Sequence, residues 1–249
     1  MELNKIYNED CLEGMKRIPD KSVDMILCDL PYGTTACKWD TIIPFEPLWE
    51  QYERVIKDSG AIVLTGAQPF TSVLVMSNLK LFRQTLVWKK SRPTNMMNAK
   101  KMFMKYHEDV VVFYKKLPTY NPEMEVVDVY TKTQKLQDRS KGIFGKTGEK
   151  ADYVHNNGGL KYPNSVLSIA SENKRIHPTQ KPVALFEYLI KTYTNEGETI
   201  LDNCMGSGTT AIACMNTKRN FIGFELDETY FNLANERIGK CKELAETIV

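Results

Sequence analysis

An apolar run, Thr199-Ile200-Leu201, ends in Asp202 and gives way to Asn203-Cys204-Met205-Gly206-Ser207-Gly208-Thr209-Thr210. A helical stretch to Asn216 follows, and a second apolar run, Asn220 to Phe224, closes on Glu225. Strand, glycine turn, helix and strand in that order leave few folds open, because parallel neighbours need a crossover and a helix supplies it. The glycines let the backbone approach a ligand, and an acid ending the second strand is placed to accept hydrogen bonds from ribose hydroxyls. This is a Rossmann-type arrangement. Taken alone it leaves three readings open: a dinucleotide site, for which Gly206-x-Gly208-x-x-Ala211 would pass as a fingerprint, an S-adenosylmethionine site, or a corner whose glycines serve only close packing.

The rest of the chain repeats the alternation. Lys5 to Tyr7 reads as extended, Cys11 to Arg17 as a helix with Asp10 as N-cap, and Val23 to Cys28 as a buried strand. Trp49, Tyr52, Val55 and Ile56 predict a helix over Phe45 to Asp58, ended by Gly60. Ala61 to Thr65 is the next strand, Pro69 to Ser77 a short helix, and Leu81 to Trp88 and Val110 to Tyr114 are β-rich. After Pro182 to Tyr193, whose Pro suits a first helical turn, Glu198 to Leu201 is extended, and a last helix starts at Asp227. The pattern predicts an α/β fold with a mostly parallel twisted sheet and helices on both faces. Between Lys115 and Ala170 periodicity fails and Gly, Asn, Lys and Thr accumulate. We read 115–170 as an insertion on a single domain spanning 1–249.

A formal net charge of +2 gives no global case for nucleic acid, so any such case rests on local clusters. No apolar run is long enough for a bilayer, and no N-terminal stretch has a signal-peptide layout, so no membrane partner is expected. The six cysteines are scattered without CxxC pairs, which predicts free thiols in a reducing cytoplasm. His155 and His177 have no partner at ligand spacing, and no metal is expected.

At the end of the strand Val23 to Cys28 stands Asp29-Leu30-Pro31-Tyr32. A carboxylate, a rigid turn and an aromatic ring where a buried strand surfaces can hold a planar heterocycle and bond an exocyclic amino group. The same tetrapeptide also reads as a plain strand-to-loop turn. Its company decides: His177-Pro178-Thr179-Gln180-Lys181-Pro182 precedes the helix that leads to the glycine loop. In this combination and order the chain resembles the circularly permuted β-class of S-adenosylmethionine-dependent amino-methyltransferases acting on DNA adenine N6 or cytosine N4. The resemblance covers nearly the whole chain outside the insertion.

The resemblance implies a catalytic motif at Asp29, Leu30, Pro31 and Tyr32. It implies cofactor contacts from Asp10, Cys11, His177, Thr179, Lys181, Asp202, Gly206, Gly208, Thr209, Glu225 and Leu226, with Glu225 as the ribose-binding acid. Trp88-Lys89-Lys90 and His107-Glu108-Asp109-Val110 look like family segments flanking the base pocket. Two positions depart from the pattern: Leu30 replaces the usual first Pro, where a backbone carbonyl is what matters, and Cys204 replaces the usual loop Phe, which predicts altered cofactor packing. Asp at the first motif position favours adenine, where cytosine-N4 enzymes more often carry Ser. Cytosine N4 stays the alternative, followed by RNA or protein methylation, and a DNA-binding regulator without turnover is the reading from another class. On the adenine reading, Asp29 and the Leu30 carbonyl accept the two N–H bonds of the amino group while Tyr32 stacks on a base flipped out of the duplex.

The resemblance makes DNA the partner, with a second copy of the chain common among family members and a cognate endonuclease open. Lys89, Lys90, Arg92, Lys100, Lys101 and Lys105 enclose Pro93 to Asn98, read as a mobile loop over the cleft. A second basic cluster that includes Arg139 and Lys141 lies in the insertion, the candidate for sequence recognition.

Overall fold

The computed structural model describes residues 1–35, 37, 40–129, 131–134, 153–156, 158–172 and 180–247. The first strand is β1 (Lys5–Tyr7), followed by α1 (Cys11–Met15), β2 (Val23–Cys28), α2 (Phe45–Val55), β3 (Ile56–Gly66) and α3 (Phe70–Ser77). Two long strands, β4 (Phe82–Thr94) and β5 (Lys105–Phe113), form a hairpin. Four short strands come next: β6 (Glu125–Val126), β7 (Thr131–Gln134), β8 (Tyr153–Asn156) and β9 (Leu160–Lys161). The chain closes with β10 (Val166–Leu167), α4 (Val183–Tyr193), β11 (Thr199–Asp202), α5 (Thr209–Asn216), β12 (Asn220–Phe224) and α6 (Glu228–Thr247).

Eight strands form one sheet in the order β1-β12-β11-β2-β3-β5-β4-β10, parallel except where β5 pairs with β3 and with β4. The central strands are apolar without alternation because both faces are covered. In β2, Met25 and Leu27 join the core beneath α4, α5 and α6, whereas Ile26 and Cys28 join the core beneath α1, α2 and α3. Phe186 of α4 and Ile212 of α5 belong to the first core, Tyr52 of α2 and Leu74 of α3 to the second. α1 lies tight against the sheet: a Cβ on Gly14 would stand 2.2 Å from Cε1 of Phe224.

At three places the fold departs from what the sequence predicts. The helix predicted over Phe45 to Asp58 ends at Val55, and Ile56 is already extended. Gly60 is therefore a strand residue, not a helix stop. Its lack of a side chain serves a close approach, since a Cβ there would lie 2.7 Å from the Asp24 carbonyl oxygen. The segment Pro93 to Asn98 is not simply a loop: β4 runs through Thr94, and Met96–Asn98 is a single 3-10 turn. The irregular stretch is also narrower than 115–170. Residues to Asn121 belong with the main body, where Asn121 donates its backbone N–H to the Thr192 carbonyl, and β10 adds to the sheet edge beside β4. The separate compact unit is Pro122–Asn164, with β6 pairing β9 and β7 pairing β8, each antiparallel.

Among the described residues no helix is long and apolar enough to cross a membrane.

Candidate active site

β2 and β11 are adjacent and parallel, so the tetrapeptide after β2 and the glycine loop after β11 emerge side by side at the carboxyl edge of the sheet. Ligands of open α/β sheets bind at that edge. Here it carries a cavity of about 610 Å³ whose lining includes Asp10, Asp29, Tyr32, Lys181, Gly206 and Glu225. Cys11, Leu30, Pro31, Asp202, Thr209 and Leu226 also border it.

The glycine loop takes its shape from backbone demands. Gly206 and Gly208 have φ of +53° and +79°, a region that side chains disfavour. Gly208 also packs against α6, where an added Cβ would sit 3.1 Å from that of Ala234. Asp202 is buried and turned onto the loop itself: it accepts the Thr210 hydroxyl and, at 3.0 Å, the Cys204 backbone N–H. Burial pushes its carboxyl up to about 6, against those hydrogen bonds. It acts as the former of the turn.

Glu225 follows directly on β12 with both oxygens held, one by the Gly206 N–H at 2.7 Å and the other by the Asp227 N–H at 2.9 Å. That grip aims a carboxylate along the cavity wall and leaves lone pairs for hydroxyl donors. Asp10 caps α1 through Oδ1, which accepts from Leu12 N at 2.8 Å and Glu13 N at 3.2 Å. Cys204 borders the cavity beside Asn203, whose side-chain oxygen accepts from the buried Tyr52 hydroxyl. All six cysteines are free, and burial pushes the neighbouring Cys28 thiol up to about 12. Gly208→Val is expected to weaken S-adenosylmethionine binding about fivefold to thirtyfold, because a free loop that relaxes its αL strain of about 1–2 kcal/mol must take that strain up again to hold the cofactor. Calorimetric titration of the variant would show it, and unchanged affinity would mean that the turn tolerates a side chain.

The second half of the site is a chain of charges. Oδ1 of Asp29 accepts the Tyr32 hydroxyl at 2.6 Å and the hydroxyl of Thr65, the penultimate residue of β3. Oδ2 accepts from Nζ of Lys181 at 2.7 Å. Nζ of Lys181 also lies 3.2 Å from Oε2 of Glu108 on β5, whose Oε1 is 3.0 Å from Nζ of Lys90 on β4. The sign alternates along the line Asp29, Lys181, Glu108, Lys90, and both lysines are 5% exposed. Burial works against the Lys181 ammonium, yet Asp29, Tyr32 and Glu108 together hold its pKa well above the usual lysine value. Burial likewise opposes the Glu108 carboxylate, and the two ammoniums hold its pKa below the ordinary one. A carboxylate has about four acceptor directions; three donors reach Asp29, so one direction remains for an incoming N–H.

Tyr32 stacks on Phe70 at 5.0 Å between centroids with 26° between planes, and the Lys181 ammonium stands 5.4 Å from its ring centroid. Just past the tetrapeptide, Asp40 gathers the backbone N–H groups of Gly33, Thr34 and Thr35 at 2.7–2.9 Å and fixes the turn that leaves the site. The side chain of Leu30 is buried in the core, so what it offers the cavity is backbone.

The structure thus gathers the sequence-derived residues Asp10, Cys11, Asp29 to Tyr32, Lys181, Asp202, Gly206, Thr209, Glu225 and Leu226 around one cavity, with Gly208 in its loop. His177 and Thr179 lie outside the described residues, as do Arg139 and Lys141. The resemblance places Lys181 at the cofactor; it lines this cavity, with its ammonium on Asp29. The expectation that Lys90 faces DNA is wrong: it is buried and paired with Glu108, because β4 at that position turns its side chain inward. Lys89, Arg92, Lys100, Lys101 and Lys105 are exposed. Thr65, Phe70 and Asp40 escape the sequence reading, since nothing in their local pattern marks a strand-end hydroxyl or a buried ring as part of a site. Among the described residues no group of His, Cys, Asp or Glu is placed to hold a metal.

A doubly covered α/β sheet, a glycine loop at its carboxyl edge and a carboxylate-aromatic pair on the next strand define a nucleotide-cofactor group-transfer enzyme. The profile of the N6/N4 methyltransferase family, described as DNA methylase, matches residues 23–236, and the chain belongs to that family. Its members depend on S-adenosylmethionine. The chain is 30% identical to the type II methyltransferase M1.MboII of Moraxella bovis over 94% of its own length and 96% of that relative's. It is 29% identical to the DNA adenine methyltransferase YhdJ of Escherichia coli K12, over 95% of this chain and 83% of the other. In fold it is similar to the M1.HpyAVI–SAM complex, with TM-score 0.63 at 24% identity over 94% of this chain and 98% of that one. It is also similar to the PvuII cytosine-N4-specific DNA methyltransferase, with TM-score 0.67 at 14% identity over 95% and 90% of the two chains.

Proposed function

We propose that this DNA methyltransferase acts on adenine N6, taking the base into the cavity beside Asp29. The observation that carries the reading is the Asp29 carboxylate, oriented by Tyr32, Thr65 and Lys181 with an acceptor direction still open. The amino group of adenine is a weak nucleophile because its lone pair is delocalised into the ring. Asp29 and the Leu30 carbonyl accept its two N–H bonds and favour a pyramidal nitrogen. Tyr32 presents the aromatic surface for a base that has left the duplex. Positioning and fixed charge supply the acceleration, without a covalent intermediate.

The cavity suits S-adenosylmethionine: its volume is in the range of cofactor sites, and a carboxylate anchored by two backbone N–H groups faces it. Glu225 and Asp10 would hold the nucleoside part, and the loop of Gly206, Gly208 and Thr209 would lie along the rest. When bound, that cofactor supplies an electrophilic sulfonium methyl. The adenine choice is supported by Asp at the first motif position and by the adenine enzyme YhdJ among the relatives; the fold alone is shared with a cytosine-N4 enzyme. We place sequence recognition in the inserted unit Pro122–Asn164, which lies within 115–170.

Labelled methyl transfer to unmethylated genomic DNA, followed by nucleoside digestion and mass spectrometry, tests the reading. N6-methyladenine is the expected product. N4-methylcytosine would keep the chemistry and overturn the base.

A further inference from the structure

Between Lys89 and His107 the chain contains no acidic residue, and it exposes five cations, Lys89, Arg92, Lys100, Lys101 and Lys105. The same stretch exposes large apolar side chains at its tip: Met97 is 99% exposed, Phe103 98%, Met96 70% and Met102 57%. Exposing that much apolar surface has a cost in water and marks an interaction surface.

The tip is nevertheless shaped. Asn95 adopts a left-handed conformation (φ 68°) before the Met96–Asn98 turn. Its side-chain oxygen accepts from Asn98 Nδ2 at 2.7 Å, and below the turn Thr94 pairs with Lys105. Lys90, deep in the charge chain of the active site, donates to the Thr94 hydroxyl at 3.2 Å. The hairpin is therefore tied at its base to the wall that carries Glu108. On β5 three residues at about 3.3 Å each, from Glu108 to Lys105, put the base of the turn roughly 10 Å beyond that wall, with Thr94 paired to Lys105 across a bulge in β4.

We propose that this hairpin tip inserts into duplex DNA, with Phe103 and Met97 as apolar wedges in the base stack and the flanking cations on the phosphates. Proteins that kink or open a duplex use this combination of inserted Phe or Met with surrounding Lys and Arg. The reach is sufficient: a major groove is about 8.5 Å deep, so a tip standing farther out than that enters the stack while the cavity behind it receives a base. The charge pattern favours DNA over a second copy of this chain. A two-fold interface sets a patch against itself, and five cations without an acid would face their own kind. The proposal rests on the chain acting on DNA, not on which base it methylates.

Photocrosslinking of the full chain, carrying Phe103→benzoylphenylalanine, to unmethylated plasmid duplex is the test. A protein–DNA adduct at that position is expected. An adduct between two copies of the chain, or none although the duplex is bound, would overturn the wedge while leaving the enzyme assignment standing. Failure of the unmodified protein to bind any duplex would sink both.

Two variants separate the roles. Lys100→Ala/Lys101→Ala should flatten the plot of log binding constant against log salt by about 1.8, at about 0.9 for each phosphate no longer neutralised. Met97→Ser/Phe103→Ser should leave that slope and the thermal midpoint unchanged, yet slow methylation of duplex by at least about tenfold, because opening a stacked step costs a few kcal/mol. Parental rates in that double variant would also overturn the proposal.

Discussion

Asp29→Ala is expected to slow methyl transfer by on the order of 10²–10³-fold, the range found when one fixed electrostatic partner of a reaction centre is removed. S-adenosylmethionine affinity should stay within about twofold, because that cofactor's proposed holders, Glu225 and Asp10, are anchored by hydrogen bonds that do not involve Asp29. Asp29→Asn separates charge from shape. It keeps one acceptor oxygen but turns a donor toward either the Lys181 ammonium or the Tyr32 and Thr65 hydroxyls, all of which now meet acceptors. The asparagine variant should therefore fall nearly as far as the alanine one. Single-turnover rates with saturating cofactor decide it, and a near-parental rate for Asp29→Ala would remove this residue from the chemistry.

Glu108→Gln is expected to have the largest effect on stability, about 3–5 kcal/mol, the cost of removing one partner from a buried ion pair. The reason lies in Lys90, which is 5% exposed and whose carboxylate partner is Glu108, whereas Lys181 keeps Asp29. Adding Lys90→Met to Glu108→Gln should recover stability, because the uncompensated ammonium is what destabilises. Urea unfolding of the single and double variants measures both. A loss below about 1 kcal/mol would mean that the pair behaves like an exposed one. The linkage has a definite sign. The folded carboxyl titrates below its unfolded value, so its stabilisation is complete above the unfolded pKa, near 4.3, and is lost as pH falls through the lower folded value.

The legible and the illegible parts of this chain divide along a physical line. β2, α5 and β12 match their sequence bounds because each is an apolar run or helix bracketed by turn residues, and burial on both faces keeps the run unbroken. α2 is shorter than its periodicity predicts because Ile56 continues the helical spacing of Trp49, Tyr52 and Val55, while pairing with Val23 of β2 makes Ile56 a strand residue. That pairing is not local, and periodicity cannot express it. The site follows the same rule. Asp29, Gly206 and Glu225 stand in recognisable local patterns. Glu108 and Lys90 take their role from a cross-strand neighbourhood that also holds Lys181, some 70 residues farther along the chain. Lys90 reads as a surface cation because composition alone does not say which way a strand turns its side chain. Thr65 becomes part of the site only because β3 ends where β2 does.

The adjacency of β2 and β11 has a consequence for the order in which the protein is made. About 170 residues separate the end of one strand from the start of the other. At ribosomal rates of about 5–20 residues per second, β2 waits roughly 9–34 s for that neighbour. During that interval one long apolar edge has no partner, a condition that invites pairing with foreign strands. Its natural protection is whatever holds nascent chains apart until β11 emerges. The two halves of the site therefore come together only once β11 has emerged and paired with β2.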